Sequence, residues 1–436
     1  MKKFYVQTFG CQMNVYDSEL MKGLLSVEGY LPAQTIKEAD IILLNTCAIR
    51  QHAEERVFGR LRELKKLKEE KPEIILGICG CIAQEQREKL FDDFPFINLI
   101  VGTKAYRRLP QIIEKYNSDH LPQLEISDEE TFATRVIPQA PLSALVAIME
   151  GCSNYCAYCI VPYVRGVEKS RRCQEILEEI SHLAGKGTKE VMLIGQNVNS
   201  YRDREIGFSQ LLPEVEKVAK IERVRFTTSH PRDIDEDLLK VISNSKKICE
   251  HLHLPLQTGS NRILKAMNRG YSFEKYHQIV ERIRELIPDP SITTDLIVGF
   301  PGETEKDFQE TLMAVQKIQF DSAYTFKFSP KIGTKAAEMS NQISEEDKQR
   351  RLQELIAVQE EITKKKNQEM IGKTVEVLVE GESRRGNGQF KGRTRTNKTV
   401  VFHPVEKNDL IRKLLMVKIE EAGSHTLFGT SQRPPP

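Results

Sequence analysis

Short apolar runs that end in an unusual polar or cysteine-bearing turn recur along this chain, each followed by a stretch long enough for a helix. "KFYVQTFG", "DIILLNT" and "EIILGICG" open the series. "ALVAIM", "EVMLIGQ", "RVRFTTS", "EHLHLPLQ", "ITTDLIVGF" and "AYTFKFS" continue it, separated by about 20 to 45 residues. Such runs are too apolar for half-exposed strands, and their spacing suits crossover helices rather than tight hairpins. Parallel strands covered on both faces fit that pattern, so the fold class is α/β.

The series divides in two. Residues 1–117 read as an N-terminal open parallel α/β sheet. Residues 118–141 carry acids, prolines and no periodicity, and read as a linker. Residues 142–370 hold the six later runs and predict a partial (β/α)6 barrel of the TIM type, with chemistry at the carboxyl ends of its strands. Residues 344–371 are a charged amphipathic helix with a Ser-Glu-Glu start. From 371 to 434 the period changes to "TVEVLVEG", "QFKGRTRTNKTVVF" and "LLMVKIEEAGSHTLFGT", which predicts a small antiparallel β-barrel.

Hydrophobic residues make up 39% of the 436 and charged residues 29%, as in soluble domains. A net charge of +2 excludes a global polycation, so any nucleic-acid surface is a local patch. No apolar run reaches the ~18 residues of a membrane span. The start, "MKKFYVQTFGC", lacks a signal-peptide core, and a cytoplasmic protein is expected.

Nine cysteines without a secretion signal point to metal or catalytic thiols rather than disulfides. Cys152, Cys156 and Cys159 in "MEGCSNYCAYCIVPYVRG" are three ligands without a neighbouring fourth. Zinc sites usually close with four protein ligands, whereas an iron–sulfur cluster on three thiolates keeps one iron open to a small chelating molecule. A zinc knuckle with a remote fourth ligand is the alternative. Cys11, Cys47 and Cys81 form a second triad, each directly after a predicted strand. In a parallel sheet they would emerge on one edge. Cys79 lies two residues from Cys81 and would share its side of an extended strand. Cys173 and Cys249 match no motif.

The spacing of Cys152, Cys156 and Cys159 resembles the radical S-adenosylmethionine superfamily. "FGCQMNVYDSE", "LLNTCAIR", "CGCIAQ", "IGQNVNSY", "RFTTSHP", "HLPLQTGS", "DLIVGFPGET" and "GRTRTNKTVVF" extend the likeness, over the whole chain, to the MiaB-type tRNA methylthiotransferases. That resemblance implies a methylthiotransferase domain, a radical S-adenosylmethionine domain and a TRAM domain. It also implies two [4Fe-4S] clusters. Cys152, Cys156 and Cys159 would hold the radical cluster and Cys11, Cys47 and Cys81 an auxiliary one, with Cys79 a buried bystander where the family usually has glycine.

The implied reaction is methylthiolation at C2 of N6-isopentenyl (dimethylallyl) adenosine at tRNA position 37, next to the anticodon. It uses two S-adenosylmethionine molecules per turnover and an external one-electron donor, and a monomer is expected. Relatives acting on threonylcarbamoyl-adenosine or on a ribosomal protein share the architecture; a zinc-stabilised RNA-binding protein is the rival from another class. Arg384, Arg385, Lys391, Arg393, Arg395 and Lys398 cluster in the tail, as an RNA backbone requires. His251 and His253 would share one strand face, where a hydrogen-bonded pair lining the barrel is favoured over a metal pair.

Overall fold

The computed structural model describes residues 1–48, 51–126, 142–384, 386, 388–405 and 410–432. They pack as two units: the described residues of 1–126, 145–155 and 159–171 in the first, and those of 142–144, 156–158 and 172–432 in the second.

The first unit is built on a six-stranded sheet. Its strands are β1 (Lys3–Thr8), β2 (Leu31–Pro32), β3 (Ile41–Thr46), β4 (Ile75–Gly80), β5 (Leu99–Val101) and β6 (Gln123–Glu125), in the order β2-β1-β3-β4-β5-β6. Every pairing is parallel. β3 and β4 are buried at every residue because both of their faces are covered. Ile42, Leu44, Leu76 and Ile78 face one apolar layer, while Ile41, Leu43, Ile75 and Cys79 face the other. The continuous apolar runs of the sequence are this two-faced burial.

The boundary expected at 117 falls too early. The helix Leu109–Asp119 runs past it, and β6 pairs with β5 through Gln123 opposite Leu99. β6 is a three-residue edge strand with one buried side chain, too short to show a period. The rest of the expected linker, from 127 to 141, lies outside the described residues.

β7 (Ser143–Ala147) begins in the second unit; β8 (Met149–Glu150) and β9 (Lys169–Ser170) pair antiparallel within the first. In the second unit β10 (Glu190–Ile194) pairs parallel with β13 (Arg223–Phe226), and β11 (Arg202–Asp203) with β12 (Ile206–Gly207) makes a small hairpin. β14 (His251–His253), β15 (Ser291–Val298) and β16 (Ser322–Lys327) pair in parallel sequence. A parallel bridge from Val224 to Ile248 joins the two triplets, β7-β10-β13 and β14-β15-β16. The six predicted runs are thus six strands of a partial barrel. The helix Glu345–Gln368 is capped by Ser344, whose hydroxyl accepts from the Asp347 N–H.

β17 (Thr374–Glu382), β18 (Phe390–Thr394), β19 (Thr399–His403), β20 (Leu414–Ala422) and β21 (Thr426–Ser431) form a closed barrel around Val377, Val400, Phe402, Val417 and Leu427. Two arginines of β13, Arg223 and Arg225, are fully buried and reach into it. Arg223 donates to the Arg393 carbonyl at 2.7 Å and pairs with Glu376. Arg225 donates to the carbonyls of Arg395 and Thr394 at 2.7 and 2.6 Å, and pairs with Glu190 at 2.7 Å. Replacing Arg225 by methionine leaves Glu190 buried without its cation and two carbonyls without donors. Breaking a buried pair in this way costs about 3–5 kcal/mol. Denaturant unfolding of Arg225→Met should show that loss; an unchanged midpoint would make the pair dispensable.

Candidate functional site

Because β1, β3 and β4 are parallel neighbours in register (Thr8 opposite Asn45, Thr46 opposite Gly80), the turns at their carboxyl ends share one edge. Cys47 directly follows β3, and Cys81 opens the helix Cys81–Gln86 after β4. Cys11 caps the helix Gln12–Val27 after β1. The structure therefore brings the three expected thiols to one edge. Cys11 and Cys47 are hydrogen-bonded through their sulfurs.

Glycine makes that approach possible. Gly10 has φ +125°, and a Cβ there would lie 2.3 Å from the Cys47 Cβ. Gly80, at φ +95°, would strike the Thr46 carbonyl at 2.5 Å. Behind the thiols, Asn14 donates to the Thr46 carbonyl at 2.9 Å and Asn45 donates to the Asn14 carbonyl at 2.7 Å. These short polar side chains lock the turns after β1 and β3 together.

Strand alternation predicted that Cys79 and Cys81 share a side, and they do not. The turn at Gly80 and the helix that starts at Cys81 break the period, and the two thiols enter different apolar layers. Their environments also part them from Cys11. The hydrogen bond from Cys47 and the nearby Arg165 bring the Cys11 thiol down to about 6 against the effect of burial. Burial drives Cys81 up to about 11, with Arg165 opposing it, and Cys79 up to about 12.

Arg165 was not singled out from the sequence, although it stands in the "PYVRG" run just past Cys159. It ends the helix Val161–Arg165 and is buried, donating to Asp17 at 2.6 Å and to Glu150 at 3.0 Å. Burial holds the Asp17 carboxyl above its ordinary range despite the guanidinium, and lifts Glu150 to about 7.

The loop of the other triad is divided between the units. Cys152 and Cys159 belong to the first, where Gly151 has φ +78° and a Cβ on it would lie 2.1 Å from the Val167 carbonyl oxygen. The Cys152 N–H donates to the Gly166 carbonyl at 3.1 Å. Cys156 belongs to the second, where Ala157 is bonded to Met267 and Ala336 through the backbone. The Cys156 sulfur accepts from Arg269 Nη1 at 3.4 Å, and Arg269 also donates to the Pro255 carbonyl. No local motif marks Arg269, which reaches Cys156 from 113 residues away. None of these cysteines is in a disulfide.

Two buried oxygens at barrel strand ends have no protein partner: Gln196 Oε1 after β10 and Ser229 Oγ after β13. His230 beside them accepts from the Arg232 N–H through Nδ1, and burial next to Arg269 and Arg232 keeps it neutral. His251 and His253 both bond Thr293 Oγ1, at 3.2 and 3.0 Å, in keeping with the hydrogen-bonded reading.

The basic tail splits. Arg395 is bound by both Glu250 oxygens, at 2.9 and 2.6 Å, and by the Lys246 and Ile248 carbonyls, so it fastens the small barrel to the larger one. Lys398 pairs with Asp321 at 3.3 Å and Asn367. Both were expected at RNA, and their heads are instead engaged inside the protein. Lys391 and Arg393 lie half-exposed around Glu380, and Arg384 is exposed. Arg385 lies outside the described residues.

Three family models match the chain: "Radical SAM superfamily" over residues 146–315, "Uncharacterized protein family UPF0004" over 3–102 and "TRAM domain" over 368–431. The chain is 49% identical to the tRNA-2-methylthio-N(6)-dimethylallyladenosine synthase of Caldicellulosiruptor saccharolyticus, covering 98% of this chain and 92% of that protein. It is 49% identical to the protein of the same name from Carboxydothermus hydrogenoformans, covering 98% and 99%. The fold is similar to that of the radical S-adenosylmethionine methyltransferase TsrM from Kitasatospora setae, with a TM-score of 0.56 at 12% identity over 77% of each chain. No helix among the described residues is long and apolar enough to cross a membrane.

The thiol environments give a pH test on metal-free protein. A thiol reacts as its thiolate, which forms above the pKa. Iodoacetamide labelling of Cys11 should therefore rise as pH climbs through about 6, while Cys81 and Cys79, at about 11 and about 12, stay protonated and unlabelled at pH 8. Equal labelling of the three, read by peptide mass spectrometry, would contradict the assignment.

Proposed function

The chain belongs to the tRNA-2-methylthio-N(6)-dimethylallyladenosine synthase family, and from that premise we propose that it methylthiolates C2 of N6-dimethylallyladenosine at position 37 of tRNA. The observation that carries this reading is the convergence of Cys11, Cys47 and Cys81 on one sheet edge, in a chain that also has the Cys152–Cys156–Cys159 spacing.

We assign Cys152, Cys156 and Cys159 to a radical [4Fe-4S] cluster and Cys11, Cys47 and Cys81 to an auxiliary one. The residues present fit such groups. None of the sheet-edge cysteines is in a disulfide, Gly10 lets the turn after β1 approach Cys47, and Arg269 donates to the Cys156 sulfur. Together with S-adenosylmethionine, the clusters supply the one-electron and sulfur chemistry that side-chain acids and bases lack at an adenine C2–H. The partnerless Gln196 Oε1 and Ser229 Oγ are suited to the polar groups of S-adenosylmethionine. His230, neutral and with Nδ1 already accepting, carries its proton on Nε2 and serves as a donor at the same strand ends.

Arg384, Lys391 and Arg393 form the RNA-facing part of the tail, whereas Arg395 and Lys398 hold the small barrel in place. An external one-electron donor completes the system, and the enzyme acts as a monomer in the cytoplasm.

Nucleoside mass spectrometry of tRNA from a deletion strain tests the whole reading: the 2-methylthio nucleoside should vanish and its unmodified precursor accumulate. Unchanged nucleosides would overturn it. Cys152→Ala should abolish reductive cleavage of S-adenosylmethionine. Cys81→Ala should keep cleavage and lose methylthio transfer, and Cys79→Ala should lose neither. For the tail, alanine at Arg384, Lys391 and Arg393 should flatten the log affinity against log salt slope by about 0.7 to 0.9 per lost phosphate contact. Arg395→Ala should leave the slope near the parent value and lower stability instead.

A further inference from the structure

We infer that Arg165 is a positioning and charge-balancing residue for the metal centre at Cys11, Cys47 and Cys81, so that its guanidinium eases reduction of that centre and Asp17 opposes it. The inference rests on the reading of those three thiols as cluster ligands.

The guanidinium is 2% exposed and lies inside the first unit with Asp17, 5% exposed. It is hydrogen-bonded to Asp17 and Glu150, and the helix that it ends, Val161–Arg165, packs against the helix Cys81–Gln86, with Val164 and Cys81 in one apolar cluster. Its charge acts on the Cys11 and Cys81 thiols alike. Asp17 lies about 1.7 helical turns past Cys11, with Tyr106 as its further partner at 3.4 Å. The backbone that carries Arg165 is also fixed. The Val164 carbonyl accepts from Thr103 Oγ1 at 2.6 Å, and the Gly166 carbonyl accepts from the Cys152 N–H at 3.1 Å. One short segment, six residues past Cys159, thus points its charge at one triad while its backbone holds Cys152.

Stability does not explain such a pair. A buried ion pair is roughly neutral against an apolar replacement of the same volume, so burying Arg165 gains little for the fold. The cost makes sense if the pocket must hold further negative charge. Three thiolate ligands bring three such charges into a buried edge that already holds Asp17, and the iron core offsets only part of them. An electron accepted from outside adds another. At short range and low dielectric a fixed cation favours that reduced state and a fixed carboxylate disfavours it.

The test uses the full chain carrying Cys152→Ala, Cys156→Ala and Cys159→Ala, in which only the sheet-edge centre can form. Iron is counted, and redox titration with dithionite and mediators is followed by electron paramagnetic resonance. Arg165→Gln should lower the reduced-to-oxidised ratio at a fixed ambient potential by about tenfold or more, ~59 mV for a one-electron couple. Arg165→Lys should fall between it and the parent, and Asp17→Asn should move the potential the opposite way. Parent-like potentials in all three overturn the inference while leaving the ligand assignment intact. If Arg165→Gln takes up no iron, Arg165→Lys and Asp17→Asn decide alone, and two unshifted potentials overturn it. A triple-alanine parent without four irons overturns the ligand assignment itself, and this inference with it.

Discussion

Parallel pairing decides where this protein can do chemistry. Strands that all run the same way place every carboxyl end on one edge, so residues far apart in sequence meet there without any local motif. Cys11, Cys47 and Cys81 each follow a strand of the set β1, β3 and β4, and those three are direct neighbours. Gln196 and Ser229 follow β10 and β13 in the same relation. A one-residue change in any turn would turn a thiol or an oxygen away. The glycines at 10 and 80 and the amides of Asn14 and Asn45 are there to hold the phase.

Those elements were also the most legible ones. A run buried on both faces announces itself through composition alone, so the strands and the cysteines that follow them could be placed from sequence. Three things could not. Whether Cys79 and Cys81 share a face depends on where the strand stops, and Gly80 stops it one residue earlier than alternation assumes. β6 hid because a three-residue edge strand has no period. Arg395 and Lys398 were read as solvent cations because sequence gives a charge but not its partner. Their partners, Glu250 and Asp321, lie in the barrel some 145 and 77 residues upstream.

Buried arginine is the recurring device of the molecule. Arg165 sits among thiols and carboxylates, Arg269 donates to Cys156, and Arg223 and Arg225 are capped by carbonyls and by Glu376 and Glu190. The planar guanidinium can satisfy several acceptors at once in a fixed geometry. It therefore serves where distant loops must be set at one distance, whereas apolar packing alone would accept several. The charge is supplied by a residue that cannot be neutralised at any working pH.

The long span of two of these contacts bears on how the protein is made. Arg223 and Arg225 leave the ribosome 170 residues before the carbonyls of Arg393 and Arg395 that accept from them. At about 5–20 residues per second, that interval is on the order of ten to thirty seconds. During it the central sheet carries two guanidiniums without the later carbonyls and the Glu376 carboxylate, Arg225 having only Glu190. The central domain therefore reaches its finished state only after the end of the chain has been synthesised, and a chain cut before the small barrel would carry that defect permanently.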